Sequence, residues 1–180
     1  MTLSNEDAKL FYNLWFPLLD YVNEEYRIEP DLGKITGASS VDPQAVVSIA
    51  EFLWNRSQLI EEYLTAYALP EEHHDIVSSW KRRIRGPFIL ERNLKKGSMF
   101  ISGEDNTVYR VLGIYSSWEE MFGGCPLPVM MKATLIPFKN VIISDGLVFP
   151  YRVIFGSGMR ADFKECYMEA KRKGQIHSSL

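Results

Sequence analysis

The chain has 180 residues, of which 46% are hydrophobic and 13% aromatic, enough apolar material for a domain with its own core. Its two cysteines, Cys125 and Cys166, are too few for a disulfide framework, and no apolar run approaches the roughly 20 residues that cross a bilayer. A disulfide-stapled scaffold and a transmembrane protein are therefore excluded. The acidic, polar start lacks a secretory pattern, so the sequence predicts a cytoplasmic protein with free thiols and no membrane partner.

The net charge of −3 is divided unevenly along the chain. Residues 1–80 contain 4 Lys and Arg against 14 Asp and Glu, whereas residues 81–180 contain 16 against 9. Such a division is typical of a basic half that binds nucleic acid or an acidic partner, or of two halves that neutralise each other. Because an attached acidic half would repel phosphate groups at long range, we favour the interpretation that the two halves neutralise each other.

The acidic half, residues 1–85, is predicted to be a lobe of about three helices. The first carries apolar residues at helical spacing from Phe11 to Val22, and Pro17 predicts a kink or a division of this helix. The second is expected over 42–64, with an aspartate cap and a proline at its first position. The third is expected over 70–85, with acids at its start and bases at its end.

The basic half, residues 86–180, is predicted to be mainly strand. Short β-branched or aromatic runs alternate with turn material such as Lys-Lys-Gly and Gly-Glu-Asp-Asn. Asp145-Gly146 predicts a tight turn or a bulge, and 150–156 is expected to be a last short strand. An amphipathic helix over 159–173, with Met159, Phe163, Cys166, Tyr167 and Ala170 facing inward, is expected to end at Gly174.

These elements predict an α+β fold. An N-terminal lobe of about three helices would pack on a C-terminal small antiparallel β-sheet or barrel, closed by a C-terminal helix. Because the apolar helical faces need cover, the two parts are expected to unfold as one cooperative unit.

Several segments also carry a family resemblance, namely LWFPLLDYVN, SWKRRIRGPFILERNLKKGSMFI, VYRVLGIYSSWEEMF, LIPFKNVIISDGL and IFGSGMRADFKECYMEAKRKGQI. In this order they resemble an uncharacterised bacterial family of cytosolic proteins of similar length. The resemblance covers nearly the whole chain and implies bacterial origin and a stand-alone protein. It supplies no catalytic residue.

The strongest electrostatic feature is a set of cations at the predicted helix end and the following hairpin. Converging on one edge, they would bind phosphate groups, and Trp80 and Phe88 would stack on bases. The alternative is a solvated helix end or a docking face for acidic helices. The candidate nucleic-acid or anion-binding residues are Lys81, Arg82, Arg83, Arg85, Arg92, Lys95 and Lys96.

A second candidate anion site is the Gly-Ser-Gly before the last helix, where Gly156 and Gly158 would leave backbone N–H groups free at a helix start. Two glycines also simply let a strand turn into a helix, and no full phosphate-loop pattern is present. The histidines and cysteines lack zinc-ligand spacing, so neither a metal nor a cofactor is predicted.

No catalytic residue is assigned from the sequence. Cys125 lacks a neighbouring base, and Cys166 is expected in the core. Asp145 precedes a glycine, and Asp-Gly is primarily a turn sequence, so no catalytic role is assigned to it. The first hypothesis is a non-catalytic binding or interaction protein with a protein partner. The alternatives are a nucleic-acid-binding module that uses the basic edge around 81–96, and an enzyme of unrecognised type with a site between the lobes at Asp145 or Cys125.

Overall fold

The structure is a computed structural model that describes residues Met1–Leu180. The chain divides into two compact units. The helical unit is Glu6–Lys81, and the β unit combines Met1–Asn5 with Arg82–Leu180. None of the helices is both long enough and apolar enough to cross a bilayer.

The helical unit contains four α-helices rather than the predicted three. The break falls at Asn55–Ser57, inside the predicted second helix, because Asn and Ser compete for backbone hydrogen bonds and favour helix ends. The expected third helix also ends early, at Ser79, so Arg85 lies outside it. The elements are α1 (Asn5–Tyr26), α2 (Pro43–Trp54), α3 (Gln58–Ala66), α4 (Glu71–Ser79) and a 3-10 turn (Trp80–Arg82).

Helix α1 passes through Pro17 as one continuous element, so the predicted division does not occur. A proline inside a helix removes one backbone N–H from the helical ladder and crowds the carbonyl four residues earlier, which together cost about 3 kcal/mol. The apolar stripe from Phe11 to Val22 is buried on both sides of the proline, and this burial offsets the loss. Trp15 lies at its centre and stacks on Trp54 with ring centroids 5.2 Å apart.

The β unit contains six strands and two helices, in agreement with the predicted α+β class. Ser117 begins the short α5 with a capping box, in which its hydroxyl accepts the Glu120 N–H and the Glu120 carboxylate accepts the Ser117 N–H. The strands are β1 (Ile84–Leu94), β2 (Gly97–Ser102), β3 (Val108–Leu112), β4 (Val129–Phe138), β5 (Val141–Pro150) and β6 (Ile176–His177); the helices are α5 (Trp118–Met121) and α6 (Ser157–Lys173).

The sheet is mixed rather than wholly antiparallel. Its order is β2-β1-β4-β5-β3-β6, and β3 runs parallel to both β5 and β6. Because β2 also pairs with β3, the pairings of strands β1 to β5 form a closed ring. Alternate residues of β1 enter different clusters: Phe88 and Leu90 pack with Trp118, while Ile89 packs with Tyr167 of α6.

The chain's first residues belong to the same unit. Thr2 forms an isolated parallel bridge with Gly113, just after β3. The Leu3 N–H donates to the Gly113 carbonyl at 3.0 Å, and the Gly113 N–H donates to the Met1 carbonyl at 3.2 Å. The β unit is therefore discontinuous in sequence, with the helical unit inserted between its two parts.

Two details near α6 differ from prediction. The expected last strand over 150–156 is absent, because β4 begins at Val129 and offers no partner beyond the bond from the Tyr151 N–H to the Met130 carbonyl. Helix α6 starts at Ser157, and Met159, expected to face inward, is exposed in its first turn. The end of α6 at Gly174, in a left-handed conformation, is as predicted.

Candidate functional site

The basic residues singled out from the sequence lie at separate places in the structure. Arg85 is near the start of β1, whereas Lys95 and Lys96 are in the turn after it. A strand rises about 3.3 Å per residue, so Arg85 and Lys95 lie roughly 30 Å apart along β1. Lys81 belongs to the helical unit, where its ammonium pairs with Glu61. Within the β unit, Arg85 and the turn cations Lys95 and Lys96 therefore lie at opposite ends of β1.

Several of the same cations already have protein partners. Arg92 pairs with Glu91, one of the bonds being 2.8 Å long, and its guanidinium lies 4.0 Å from the ring centroid of Tyr167. Arg85 Nε donates to Thr134 Oγ1 at 3.3 Å. Burial, and then the charge of Arg85, lowers the pKa of Arg83. Arg92 thus joins β1 to α6, a structural role that competes with anion binding.

The glycines before α6 occupy its first turn. Gly156 caps the helix, and its carbonyl accepts the Arg160 N–H at 3.1 Å. The Arg160 side chain turns back to donate to the carbonyls of Phe155 at 2.9 Å and Leu127 at 3.2 Å. These contacts fix the corner between 151–156 and the helix, and the anion site at Gly156 and Gly158 stays a prediction.

The cysteines show no arrangement for nucleophilic chemistry. Cys125 is exposed on the loop after α5. Cys166, expected in the core, is half-buried, and its thiol donates to the Asn106 carbonyl at 3.3 Å. Burial, together with Glu169 and Glu91, raises the pKa of the Cys166 thiol, which disfavours the thiolate that nucleophilic attack requires. No three His, Cys, Asp or Glu side chains come together as metal ligands.

Asp145 is buried, with 3% of its surface exposed, and lies at a bulge inside β5. The register shifts there, because Ala133 of β4 pairs with Val148 but Leu135 pairs with Ser144. The Asp145 carboxylate accepts the Leu147 N–H at 3.0 Å. Asp145-Gly146 therefore forms the bulge alternative of the sequence prediction, and this carboxylate holds the local backbone in place.

Replacing Gly146 with alanine should destabilise the protein by about 1 kcal/mol or more, because Gly146 has φ of +86°, a region that a Cβ disfavours. Asp145→Asn should cost less, since an amide oxygen can still accept the Leu147 N–H. Urea unfolding followed by circular dichroism measures both changes. An unchanged midpoint for Gly146→Ala would contradict this account of the bulge.

The most conspicuous surface was not singled out from the sequence. It follows β5 and is built of side chains that are neighbours in the chain; Ile154 is 92% exposed. The sequence pattern suggested a strand, whose apolar side chains would pack, but without a partner strand they remain in water. We name it the 149–160 surface; it comprises Phe149, Tyr151, Arg152, Val153, Ile154, Met159 and Arg160, all exposed.

The backbone of this surface is held at both ends. The Tyr151 N–H bonds to β4, and the Val153 N–H donates to the Tyr151 carbonyl at 2.9 Å. Phe155 is buried and makes an edge-to-face contact with Phe163 of α6, with centroids 5.0 Å apart. The exposed apolar side chains are thus presented on a fixed segment.

The sequence that leads into the 149–160 surface is basic, and the exposed Asp162 lies just beyond it. Between Glu120 and Asp162 the sequence contains four Lys and Arg and one acid, Asp145, which is buried. Arg152 and Arg160 are both exposed within the surface itself. Exposed apolar side chains with two exposed arginines among them favour a partner that carries both apolar and acidic side chains.

The adjoining edge of β5 offers little to an added strand. The strand pairs with β3 only at Ile142 and Ile143, so its second half has one unpaired edge. The Tyr151 N–H points to β4, so in an antiparallel pair the alternate position Pro150 turns toward the unpaired edge. Proline has no N–H to donate there. An added strand would therefore gain few backbone hydrogen bonds at this edge.

No family model, curated protein or solved structure matches this chain. The bacterial family resemblance seen in the sequence stays a prediction.

Proposed function

We propose that the protein is a non-catalytic interaction protein that binds an acidic, apolar segment of a protein partner at the 149–160 surface. The observation that carries the proposal is the exposure of Ile154 and its apolar neighbours, among which the exposed charges are those of Arg152 and Arg160. The most exposed member, Ile154, and its neighbour Val153 are aliphatic and bury well against protein, whereas only Phe149 and Tyr151 offer flat faces for stacking bases. This chemistry favours protein over nucleic acid.

The partner chemistry is tested by selecting random 12-residue peptides displayed on phage against the protein. Sequences that survive counter-selection on Val153→Ser/Ile154→Ser should combine acidic with apolar residues. Leu94→Ser is the matched control, because Leu94 is exposed on the β unit outside this surface. Enrichment of basic peptides, or of peptides that bind the double variant equally well, would contradict the proposal.

A labelled consensus peptide then gives affinities by fluorescence anisotropy. The double variant should bind about tenfold more weakly, as expected when two apolar contacts at the centre of a small interface are lost, while Leu94→Ser should bind normally. Raising the salt concentration should weaken binding through loss of the Arg152 and Arg160 contribution. The same measurement is made with a labelled single-stranded oligonucleotide. If the protein binds the oligonucleotide more tightly than the peptide, and the double variant binds it equally well, the nucleic-acid alternative is favoured.

A further inference from the structure

The helical unit contains a cavity of about 230 Å³ that is open to solvent and whose lining is aromatic and acidic. Helix α1 contributes four lining residues, at spacings of 3, 1 and 3: Pro17, Asp20, Tyr21 and Glu24. They lie on a side of the helix different from the apolar stripe that runs from Phe11 to Val22. The lining residues are Pro17, Asp20, Tyr21, Glu24, Lys34, Thr36, Tyr63 and Tyr67.

Three tyrosines, from α1, from α3 and from the residue directly after α3, form one continuous aromatic wall of this cavity. The ring centroids of Tyr63 and Tyr67 are 5.2 Å apart, and those of Tyr21 and Tyr63 are 5.5 Å apart. The Tyr21 and Tyr67 rings are nearly perpendicular, at 86°. Rings at different angles present faces in different directions, which suits a rounded cation better than a flat ligand.

The acidic part of the lining is fixed by the loop after α1. Asp20 is buried, and its two carboxylate oxygens accept the N–H groups of Ile35 at 2.6 Å and Thr36 at 3.0 Å. These bonds position Lys34, whose ammonium pairs with Glu24 at 3.1 Å. The lining therefore carries two carboxylates against one ammonium.

The charged side chains that act on Tyr21 are acidic. Burial, then the charges of Glu62 and Glu25, raise the pKa of Tyr21, and burial followed by Tyr67 raises that of Tyr63. Both phenols therefore stay neutral well above physiological pH, so their ring faces keep the partial negative charge that attracts cations. A neutral or anionic ligand gains nothing from this field.

We infer that this cavity is a binding site for an alkylated ammonium group, either on a small molecule of the choline type or on a methylated lysine side chain. Such a cation is weakly hydrated and gains from ring faces, whereas a metal ion would need several oxygen ligands. The inference rests on the helical unit alone and is independent of the 149–160 surface.

The Lys34 ammonium competes with a bound cation for the Glu24 carboxylate of this site. Its side chain is 71% exposed, and exposed ion pairs such as that with Glu24 contribute only about 0–1 kcal/mol. A bound cation can therefore displace the Lys34 ammonium from Glu24 into water. Removal of the lysine charge should strengthen ligand binding, an effect that a merely hydrophobic cavity would not show.

The test measures choline binding by NMR chemical-shift titration beside 3,3-dimethyl-1-butanol, which has the same shape without the charge. Choline should bind and the neutral alcohol should bind at least about fivefold more weakly, the difference a cation–π contact supplies. Equal binding of the two would overturn the inference, as would no saturable shift with choline. A trimethyl-lysine peptide, compared with its unmethylated form, distinguishes a peptide source from a free ligand by which of the two probes binds tighter.

Substitutions of lining residues test whether choline binds in this cavity. Tyr67, which is 46% exposed, allows Tyr67→Leu with a small effect on folding, and this change should weaken choline binding about fivefold. Tyr67→Phe keeps the ring and should bind normally, as should the control Tyr115→Leu, which removes an exposed tyrosine of the β unit that is not part of the lining. Lys34→Gln should tighten binding severalfold. Unchanged binding in Tyr67→Leu, or weaker binding in Lys34→Gln, would place the cation elsewhere and refute the assignment.

Discussion

Gly113→Ala is expected to destabilise the β unit by about 3 kcal/mol, the upper range for overpacking. A Cβ at position 113 would overlap the carbonyl oxygen of Ser116 and lie 3.0 Å from the Cα of Ser117. Both are backbone atoms, so no side-chain rotation relieves the contact. The chain around Ser116 must move.

That movement would reach the core through α5. Ser117 forms the capping box with Glu120, and Trp118, the next residue, is buried against Phe100 with centroids 4.7 Å apart. The backbone bonds of Gly113 with Met1 and Leu3 would be strained as well. Urea unfolding followed by circular dichroism measures the loss.

Gly158→Ala is the matched control for Gly113. An added Cβ at position 158 meets nothing within 4 Å, and the residue lies in α6. Alanine there should raise stability by about 0.4–1 kcal/mol, because it restricts the unfolded chain. If Gly113→Ala unfolded at the same urea concentration as the wild type, the close approach to Ser116 would be wrong.

Trp15→Ala is expected to cost about 3–5 kcal/mol, the range for removing a large buried aromatic side chain. Trp15 stacks on Trp54 and makes a perpendicular contact with Trp80, with centroids 5.8 Å apart. Its loss would leave a cavity bounded by α1 and α2. Circular dichroism is the suitable probe, since the substitution also removes a fluorophore.

Trp15→Phe keeps an aromatic ring against Trp54 and should cost clearly less than alanine. Tyr26→Ala removes an exposed aromatic ring from the same helix and should be milder still, through loss of its 2.8 Å hydrogen bond to Glu62. A loss below about 1 kcal/mol for Trp15→Ala would show that the surrounding rings collapse into the space.

The sequence predicted elements whose signals are local. Strands β1, β2 and β4 follow from short β-branched and aromatic runs between turn residues, and the end of α6 follows from Gly174. The bulge at Asp145-Gly146 was also predicted, because its signals are local: Gly146 adopts a positive φ, and the Asp145 carboxylate accepts the N–H of Leu147 two residues later.

Features that depend on distant partners were not predicted. The segment after Pro150 has the composition of a strand, but pairing fails because β4 does not extend far enough in the other direction. The basic residues of 81–96 are close in sequence, yet an extended strand separates them in space. The tyrosine cavity combines α1, α3 and the loop at Lys34, and only the spacing within α1 could be read from one segment.

The insertion of the helical unit into the β unit has a consequence for biosynthesis. All of Glu6–Lys81 leaves the ribosome before any residue of β1, whereas β6 and its pairing with β3 need the chain as far as His177. At about 5–20 residues per second, synthesis from Arg82 to His177 takes roughly 5–20 s. During that interval the helices can fold first, while Thr2 waits for Gly113 to be made before its bridge can form.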